Sequence, residues 1–394
     1  IRGSIDFPLA GTAVRILLDK TKTVSEISIA LTAVNPYPQI VSGLEKLIGK
    51  KIGEVELNMV QEMVQKQAKP MRTTTVSPWY RRRVVGSISK KLVNELYSGS
   101  GLGNQLWRYA VTRAIALNNG YEFGIMNSHK FKAPNIMNLD FGKEVVGGAG
   151  PEGGPPTALP EGIERYYEEK SLIHPVYNCD CRLYDPDLAN IADNTKIDGN
   201  MESEKYLEGH KDEVREWLKI NDDKQIYNFK KDDVCILGFR GGEYVGISDL
   251  FLPATYWQNA MKIMSQRNPQ MQFKVVTDDP HTAGRMFPGI PVMHFHTEAD
   301  WILVRNAKNI IMSNSSFAWL PTWINDEILN VIAPKYWGKH NVSDGFWAQG
   351  DSLTKGWDYL DRDGGLFTYD QCKKEKDQYE VDNASLYEAY RESP

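Results

Sequence analysis

The chain has 394 residues, 41% hydrophobic and 25% charged, an ordinary composition for a folded protein with room for two domains. Its 46 basic and 51 acidic side chains leave a formal charge of −5, which excludes the overall basic field that recruits nucleic acid. No apolar run approaches the ~18–20 residues needed to cross a bilayer, and Cys179, Cys181, Cys235 and Cys372 form no zinc-like pair of CxxC motifs. A reduced compartment is the simple reading of those cysteines. Residue 1 is Ile rather than Met, which leaves room for a targeting or anchor segment upstream.

Residues 1–85 read as an α+β appendage without a functional signature. Val14–Leu18 and Ile27–Leu31 alternate like strands. Ile40, Val41, Leu44, Leu47 and Ile48 fall at helical spacing, as do Val55, Met59, Val60, Met63 and Val64, and Pro70 should end the second helix. Trp79-Tyr80-Arg81-Arg82-Arg83 reads as a basic linker, more simply a solvated surface than a binding patch.

A second unit is expected over residues 86–222. Leu92–Leu96 is a plausible strand, and it runs into Ser98-Gly99-Ser100-Gly101-Leu102-Gly103-Asn104-Gln105. A helix then follows with Leu106, Ala110, Arg113, Ala114 and Leu117 on one face. Strand, glycine-rich turn and helix form a nucleotide-fold layout, since glycine admits a ligand close to the backbone. The GxGxG spacing is nevertheless not GxGxxG, and no Gly-Lys-Ser/Thr follows to make a P-loop. Residues 142–162 are a Gly/Pro-rich loop, and Asp222-Asp223-Lys224 marks a boundary between lobes.

Residues 223–350 alternate strands and helices: strands near 234–237, 273–276, 292–295, 310–312 and 328–332, with helices near 253–264 and 300–308. That order predicts a parallel, doubly wound sheet that binds ligands at the carboxyl ends of its strands. Arg240, Asp278 and Ser315 each follow one of those strands. The stretch around Ser315 is the most distinctive: Ile310–Met312 ends in Ser313-Asn314-Ser315-Ser316 before an aromatic helical segment. Small hydroxyl and amide side chains at such a turn suit anion binding by free N–H groups and the helix dipole, or plain helix capping. The polar tail, residues 351–394, either packs back or stays loose.

These residues resemble the GDP-fucose-dependent fucosyltransferases, the α-1,2 family above all. Gly101-Leu102-Gly103-Asn104-Gln105-Leu106 matches that family's GGLGNQ, and Asp198-Gly199-Asn200-Met201-Glu202-Ser203-Glu204-Lys205-Tyr206 looks like its GYWQSEKYF segment. Phe239-Arg240-Gly241-Gly242-Glu243-Tyr244 stands where the family has HxRRGDY. Leu252-Pro253-Ala254-Thr255-Tyr256-Trp257 is similar to LP-x-x-YY, Thr277-Asp278-Asp279-Pro280 to SDDP or TDDP, and Asn314-Ser315-Ser316-Phe317-Ala318-Trp319 to NSSFSWW. The six motifs are collinear over about residues 90–340.

The resemblance implies an inverting, metal-independent α/β enzyme of two Rossmann-like lobes, the GT-B type, with no cofactor beyond a GDP-fucose donor and with a glycan acceptor. Residues 86–222 would hold the acceptor and residues 223–350 the donor. Arg240 would grip the donor β-phosphate with a two-pronged guanidinium, unless it forms a surface ion pair. Asp278, with Asp279 beside it, would accept from the nucleoside, unless the pair only makes an Asp-Pro turn. Ser315 and Ser316, flanked by Asn314 and Phe317, would bind phosphate, while Gly101, Gly103, Asn104 and Gln105 would face the sugar. The family's histidine, second arginine and aspartate are here Gly238, Gly241 and Glu243. Glu243 is the candidate general base, or else it steadies Arg240. The departures leave open another nucleotide-sugar donor, or a non-catalytic relative that binds glycans or nucleotides. Location would follow the source: cytoplasm for a prokaryotic or viral enzyme, Golgi lumen for a truncated eukaryotic one. Oligomeric state is not legible.

Overall fold

A computed structural model describes residues 10–19, 23–72, 77–98, 101–149, 156–176, 180–345 and 353–392. The chain divides into two compact units, residues 1–100 with 242–247, and residues 101–241 with 248–394. Among the described residues, no helix is long and apolar enough to cross a membrane.

In the first unit, β1 (Gly11–Leu18) pairs antiparallel with β2 (Val24–Thr32), and β3 (Gln39–Ile40) pairs antiparallel on the other side of β2. Two helices, α1 (Glu54–Gln67) and α2 (Pro78–Ser98), complete an α+β fold. Ile29 and Leu31 of β2, Val60 and Val64 of α1, and Val85 and Val93 of α2 share one core.

Three readings are corrected here. Residues 92–96 are helical, because Val85, Ser89 and Val93 repeat at four-residue spacing and are fully buried on one face of α2. The expected break at residue 85 therefore falls inside a helix. Residues 40–48 are not a helix but β3 followed by a 3₁₀ turn at Leu44–Leu47, with Gly43 in the left-handed region between them. Arg81, in the first turn of α2, is not solvated: it is buried and donates to the carbonyls of Met71 (2.9 Å) and Ala33. The backbone of Gly242–Tyr244, a 3₁₀ turn, belongs to this unit, where the Tyr80 hydroxyl donates to Gly246 O at 2.7 Å.

The second unit opens with α3 (Leu102–Asn119), closed by Gly120 at φ 69°. A hairpin of β4 (Gly147–Ala149) and β5 (Ala158–Pro160) lies within the expected loop, whose residues 150–155 are outside the described residues. Next, β6 (Arg165–Glu168) pairs parallel with β9 (Thr195–Asp198), across an intervening hairpin of β7 (Leu172–Ile173) and β8 (Asp180–Cys181). Two short helices, α4 (Pro186–Ala189) and α5 (Lys211–Trp217), fill this half.

The main sheet has seven strands: β10 (Val234–Phe239), β11 (Gln272–Thr277), β12 (Val292–Met293), β13 (Asn309–Met312), β14 (Asn330–Pro334), β15 (Asp358–Leu360) and β16 (Leu366–Thr368). Their spatial order is β12-β11-β10-β13-β14-β15-β16, parallel throughout except for the β15–β16 edge. Crossover helices α6 (Ala254–Arg267), α7 (Pro280–Met286), α8 (Thr297–Arg305) and α9 (Ser316–Trp323) link the parallel strands. All six residues of β10 are buried, as a strand covered on both faces requires. Val234 and Ile236 join a core with α3, α8 and α9, while Cys235, Leu237 and Phe239 join a second core with α6 and α7. The sheet is thus doubly wound, and the molecule is α/β.

The tail packs back. It supplies β15 and β16, then α10 (Tyr369–Asp382) and α11 (Ala384–Arg391), where the buried Tyr390 hydroxyl donates to Leu183 O at 2.8 Å. Behind α3 and α9 lies an indole cluster. Trp319 has its ring centre 4.4 Å from Trp107, stacks on Trp323 at 5.4 Å and 16°, and meets Trp357 edge-on at 5.8 Å.

Candidate active site

The chain builds outward from β10 in two directions, through β11 and β12 on one side and through β13 and β14 on the other. The carboxyl ends of β10 and β13 therefore flank a topological switch point, where open α/β sheets form their ligand crevice. Arg240 leaves β10 there, and Ser313 leaves β13, its N–H donating to Gly238 O at 3.1 Å. Asp278 leaves β11 next door.

Two groups of the expected site residues come together. In the first, Arg240 Nη1 lies 2.6 Å from Asp278 Oδ2, and Asp278 Oδ1 accepts the Gly241 N–H at 2.9 Å. Each of those two side chains keeps about a third of its surface exposed, 31% and 30%, so the guanidinium is aimed without being sealed. Asp279 caps α7: it accepts the Thr282 N–H at 3.0 Å and the Thr282 hydroxyl at 2.6 Å. Gly241 owes its identity to that cap. Its φ is outside the left-handed region, but a Cβ there would stand 2.5 Å from Asp279 Cβ. Gly238 is less constrained, with its nearest neighbour Ala318 Cβ at 3.5 Å from a built Cβ.

In the second group, the amino ends of α3 and α9 abut. A Cβ on Gly103 would be 2.6 Å from the Phe317 nitrogen, so only glycine permits the approach. The Ser316 hydroxyl donates to Asn104 Oδ1 across 212 residues of sequence. Ser315, the N-cap of α9, makes no side-chain capping bond, which leaves its half-buried hydroxyl out of the capping role. The positive ends of two helix dipoles meet at this point.

Other expected residues join neither group. Gln105 is buried, donating to Lys130 O and accepting from Lys132 N, both at 3.0 Å, so it pins that loop. Asn314 is buried and donates to Leu250 O at 3.1 Å and Trp337 O at 3.3 Å, joining two loops. Gly101 has nothing within 4 Å of a built Cβ. The Glu243 side chain and Cys179 lie outside the described residues.

Sequence reasoning passed over Glu202, although the motif containing it was in view. Its turn is held from several directions. Glu169, buried and paired with Arg182 at 3.0 Å, accepts the N–H groups of Asn200 (2.7 Å) and Met201 (2.8 Å). Arg108 of α3 donates to Asn200 Oδ1 at 2.5 Å, and Trp107 Nε1 to Met201 O at 2.6 Å. Met201 is kept in the left-handed region, φ 53°, a conformation that persists only when its surroundings over-determine it. The turn presents the Glu202 carboxyl to the Ser316 hydroxyl. Burial pushes that carboxyl up to about 7; Glu169 adds to the rise, while Arg108, Arg182 and the Ser316 bond oppose it. Glu202 as a residue is half-buried, so its carboxyl is on the enclosed side. A paired Asn-x-Glu after a strand is a weak signal, and neither periodicity nor spacing shows that it faces α9. Among the described residues, no three His, Cys, Asp or Glu side chains group as a metal site.

Comparison with known proteins divides along the chain. Residues 2–96 match the family model of the CO dehydrogenase flavoprotein C-terminal domain. A carbon monoxide dehydrogenase from Hydrogenophaga pseudoflava is similar at 26% identity and a TM-score of 0.22, over 24% of this chain and 33% of that one. The O-antigen biosynthesis glycosyltransferase WbnK of Escherichia coli is 23% identical over 156 residues, 33% of this chain and 51% of WbnK. The chain thus spans about half the length of this curated relative. The E. coli heptosyltransferase WaaC, solved with ADP, is similar at 11% identity and a TM-score of 0.26, over 42% of this chain and 48% of its own.

Proposed function

We propose that the chain is an inverting glycosyltransferase that moves L-fucose from GDP-fucose to a hydroxyl of a glycan. The observation that carries this reading is the meeting of two distant motifs at the switch point, where the Ser316 hydroxyl donates to Asn104. Distant likeness to glycosyltransferases supports the general activity, and the six collinear motifs support the fucosyl donor. In the reaction, the acceptor oxygen bonds to the sugar C1 as the C1–O bond to the diphosphate breaks and its electron pair leaves with phosphate. Arg240 would stabilise that leaving charge, swinging from Asp278 or sharing with it. Ser315, Ser316 and the two helix amino ends would hold the phosphates. Glu243 is the carboxylate offered as base for the acceptor proton.

Thermal stabilisation by GDP, compared with UDP and ADP, is the direct test. GDP is expected to raise the melting temperature most, and turnover of GDP-fucose against an acceptor array should follow. Stabilisation by UDP or ADP instead would reassign the donor. One observation favours a non-catalytic relative: glycine occupies both 238 and 241, flanking an arginine already paired with Asp278. GDP binding without turnover across the array would select that second reading. Because an arginine and helix amino ends supply the positive potential, and Asp278-Asp279-Pro280 lacks DxD spacing, EDTA should leave turnover intact. Loss of turnover in EDTA, restored by Mg²⁺ or Mn²⁺, would overturn the metal-independent mechanism.

A further inference from the structure

Four consecutive residues after β12, His294 to Thr297, are exposed, yet the first two are held firmly. Asp300, in the first turn of α8, is buried. Its Oδ2 lies 2.7 Å from His294 Nδ1, and its Oδ1 accepts the Phe295 N–H at 3.1 Å. Both oxygens of a buried carboxylate are thus committed to one exposed corner, although burying a carboxylate costs free energy. The corner presents a Phe295 ring, 62% exposed, and the far edge of the His294 ring. There Nε2 has no hydrogen-bond partner among the described residues. His296 is otherwise engaged: its Nδ1 caps α8 by accepting the Ala299 N–H at 3.2 Å.

This corner lies on the carboxyl edge of the sheet. β12 pairs parallel with β11, Val276 opposite Met293, so His294 and Phe295 leave at the level of Thr277 and Asp278. Because α8 shares a core with α3 and α9, Asp300 ties the corner to the helix layer whose amino ends meet at Gly103. A nucleoside diphosphate with its phosphates at Arg240 and the Ser315–Ser316 turn has two directions in which to run along the strand ends. Toward β14 the tail closes the edge: Lys335 is buried, pairs with Glu375 of α10 at 2.6 Å, and has the Phe367 ring centre 3.5 Å away. Toward β12 the path passes Asp278 and ends at the exposed corner. From β13 to β12 are three strand spacings, roughly 14 Å, within reach of an extended nucleoside diphosphate. Asp278 gives one oxygen to Arg240 and the other to the Gly241 N–H, whereas His294 Nε2 is an acceptor not yet committed.

We propose that His294 and Phe295 seat the base of the donor nucleotide. Phe295 is the surface on which the purine stacks, and His294 Nε2 accepts an N–H from the edge of the base. The proposal deepens the GDP-fucose reading and rests on it. Guanine carries two adjacent N–H donors on one edge, which suits an accepting imidazole nitrogen.

Calorimetric titration of the full chain with GDP and with inorganic pyrophosphate separates the base from the phosphates. Phe295→Ala is expected to weaken GDP binding about tenfold and to leave pyrophosphate binding unchanged. His294→Asn keeps an amide donor for Asp300 and removes Nε2, so it too should lose GDP affinity without losing pyrophosphate. In the wild type saturated with GDP, a transferred Overhauser effect should connect the guanine C8 proton to a phenylalanine ring, and it should vanish in Phe295→Ala. A GDP-to-pyrophosphate affinity ratio unchanged from wild type in either variant would overturn the inference and leave the donor reading in place. So would absence of the Overhauser effect in the wild type, a measurement that needs no variant to fold. Failure of the wild type to bind either GDP or pyrophosphate would overturn the donor reading and the inference with it.

Discussion

At the scale of single residues, Arg240 and Gly241 illustrate how geometry decides between rival roles. A surface ion pair and a phosphate grip are both open to Arg240, and its 2.6 Å contact with Asp278 holds the guanidinium at the end of β10. Lysine retains the charge without the two-pronged fork. Arg240→Lys is therefore expected to lose roughly 30- to 1000-fold in GDP-fucose turnover with an unchanged circular dichroism spectrum; near-normal turnover would remove Arg240 from the reaction. Returning an arginine to position 241 should not help. Its Cβ would press on Asp279 and disturb the cap of α7, so Gly241→Ala and Gly241→Arg are both expected to weaken GDP binding in calorimetric titration. Tighter binding by the arginine variant would show instead that this position faces phosphate. Glu202 adds a prediction that needs no ligand. Its folded-state pKa, about 7, is above the ordinary carboxyl value near 4.3. Its contribution is fully present below the unfolded value and is lost as pH rises through the folded one. Glu202→Gln should accordingly gain melting temperature relative to wild type between pH 5 and pH 8, and a constant difference would contradict the raised value. None of this was visible in the sequence, where Glu202 stands among ordinary polar neighbours. What raises its pKa is burial and Glu169, which lies 33 residues away in the chain.

At the scale of elements, the two glycines of the opening motif separate cleanly. Gly103 admits the amino end of α9, and a methyl group there meets backbone at 2.6 Å, which a side-chain rotation cannot relieve. Gly103→Ala is expected to cost about 1–3 kcal/mol of stability in denaturant unfolding and to weaken donor binding. Gly101→Ala should stay within about 0.5 kcal/mol, since its φ of −57° suits alanine and nothing lies within 4 Å. Equal effects at the two positions would mean that the helices do not meet as described. The glycine spacing was legible as a demand for close approach, but not what approaches: the partner is another helix. Elsewhere, a five-residue window at 92–96 looked like a strand only because the four-residue repeat of Val85, Ser89 and Val93 extends beyond it.

For the molecule as a whole, the parallel sheet was readable because strands buried on both faces are short unbroken apolar runs, as in Val234–Leu237 and Ile310–Met312. The tail was not readable. Asp358–Leu360 is only three residues long, and its place as the sixth parallel strand depends on β14 already being there to receive it. The same holds for the crevice: the sequence placed Arg240, Asp278 and Ser315 at strand ends, while strand order, which no local pattern encodes, set the three ends side by side, with β11 and β13 flanking β10.

The indole cluster behind the crevice has a consequence for observation. Trp107 rides on α3 and Trp319 on α9, their ring centres 4.4 Å apart, with Trp323 stacked on the latter. Indoles this close share their electronic excitation, so the near-ultraviolet dichroism of the protein should carry a coupled band whose shape depends on their mutual orientation. The two helices whose amino ends frame the crevice thus hold a built-in optical gauge. A donor that shifts one helix against the other would report its own arrival in that band, without a label.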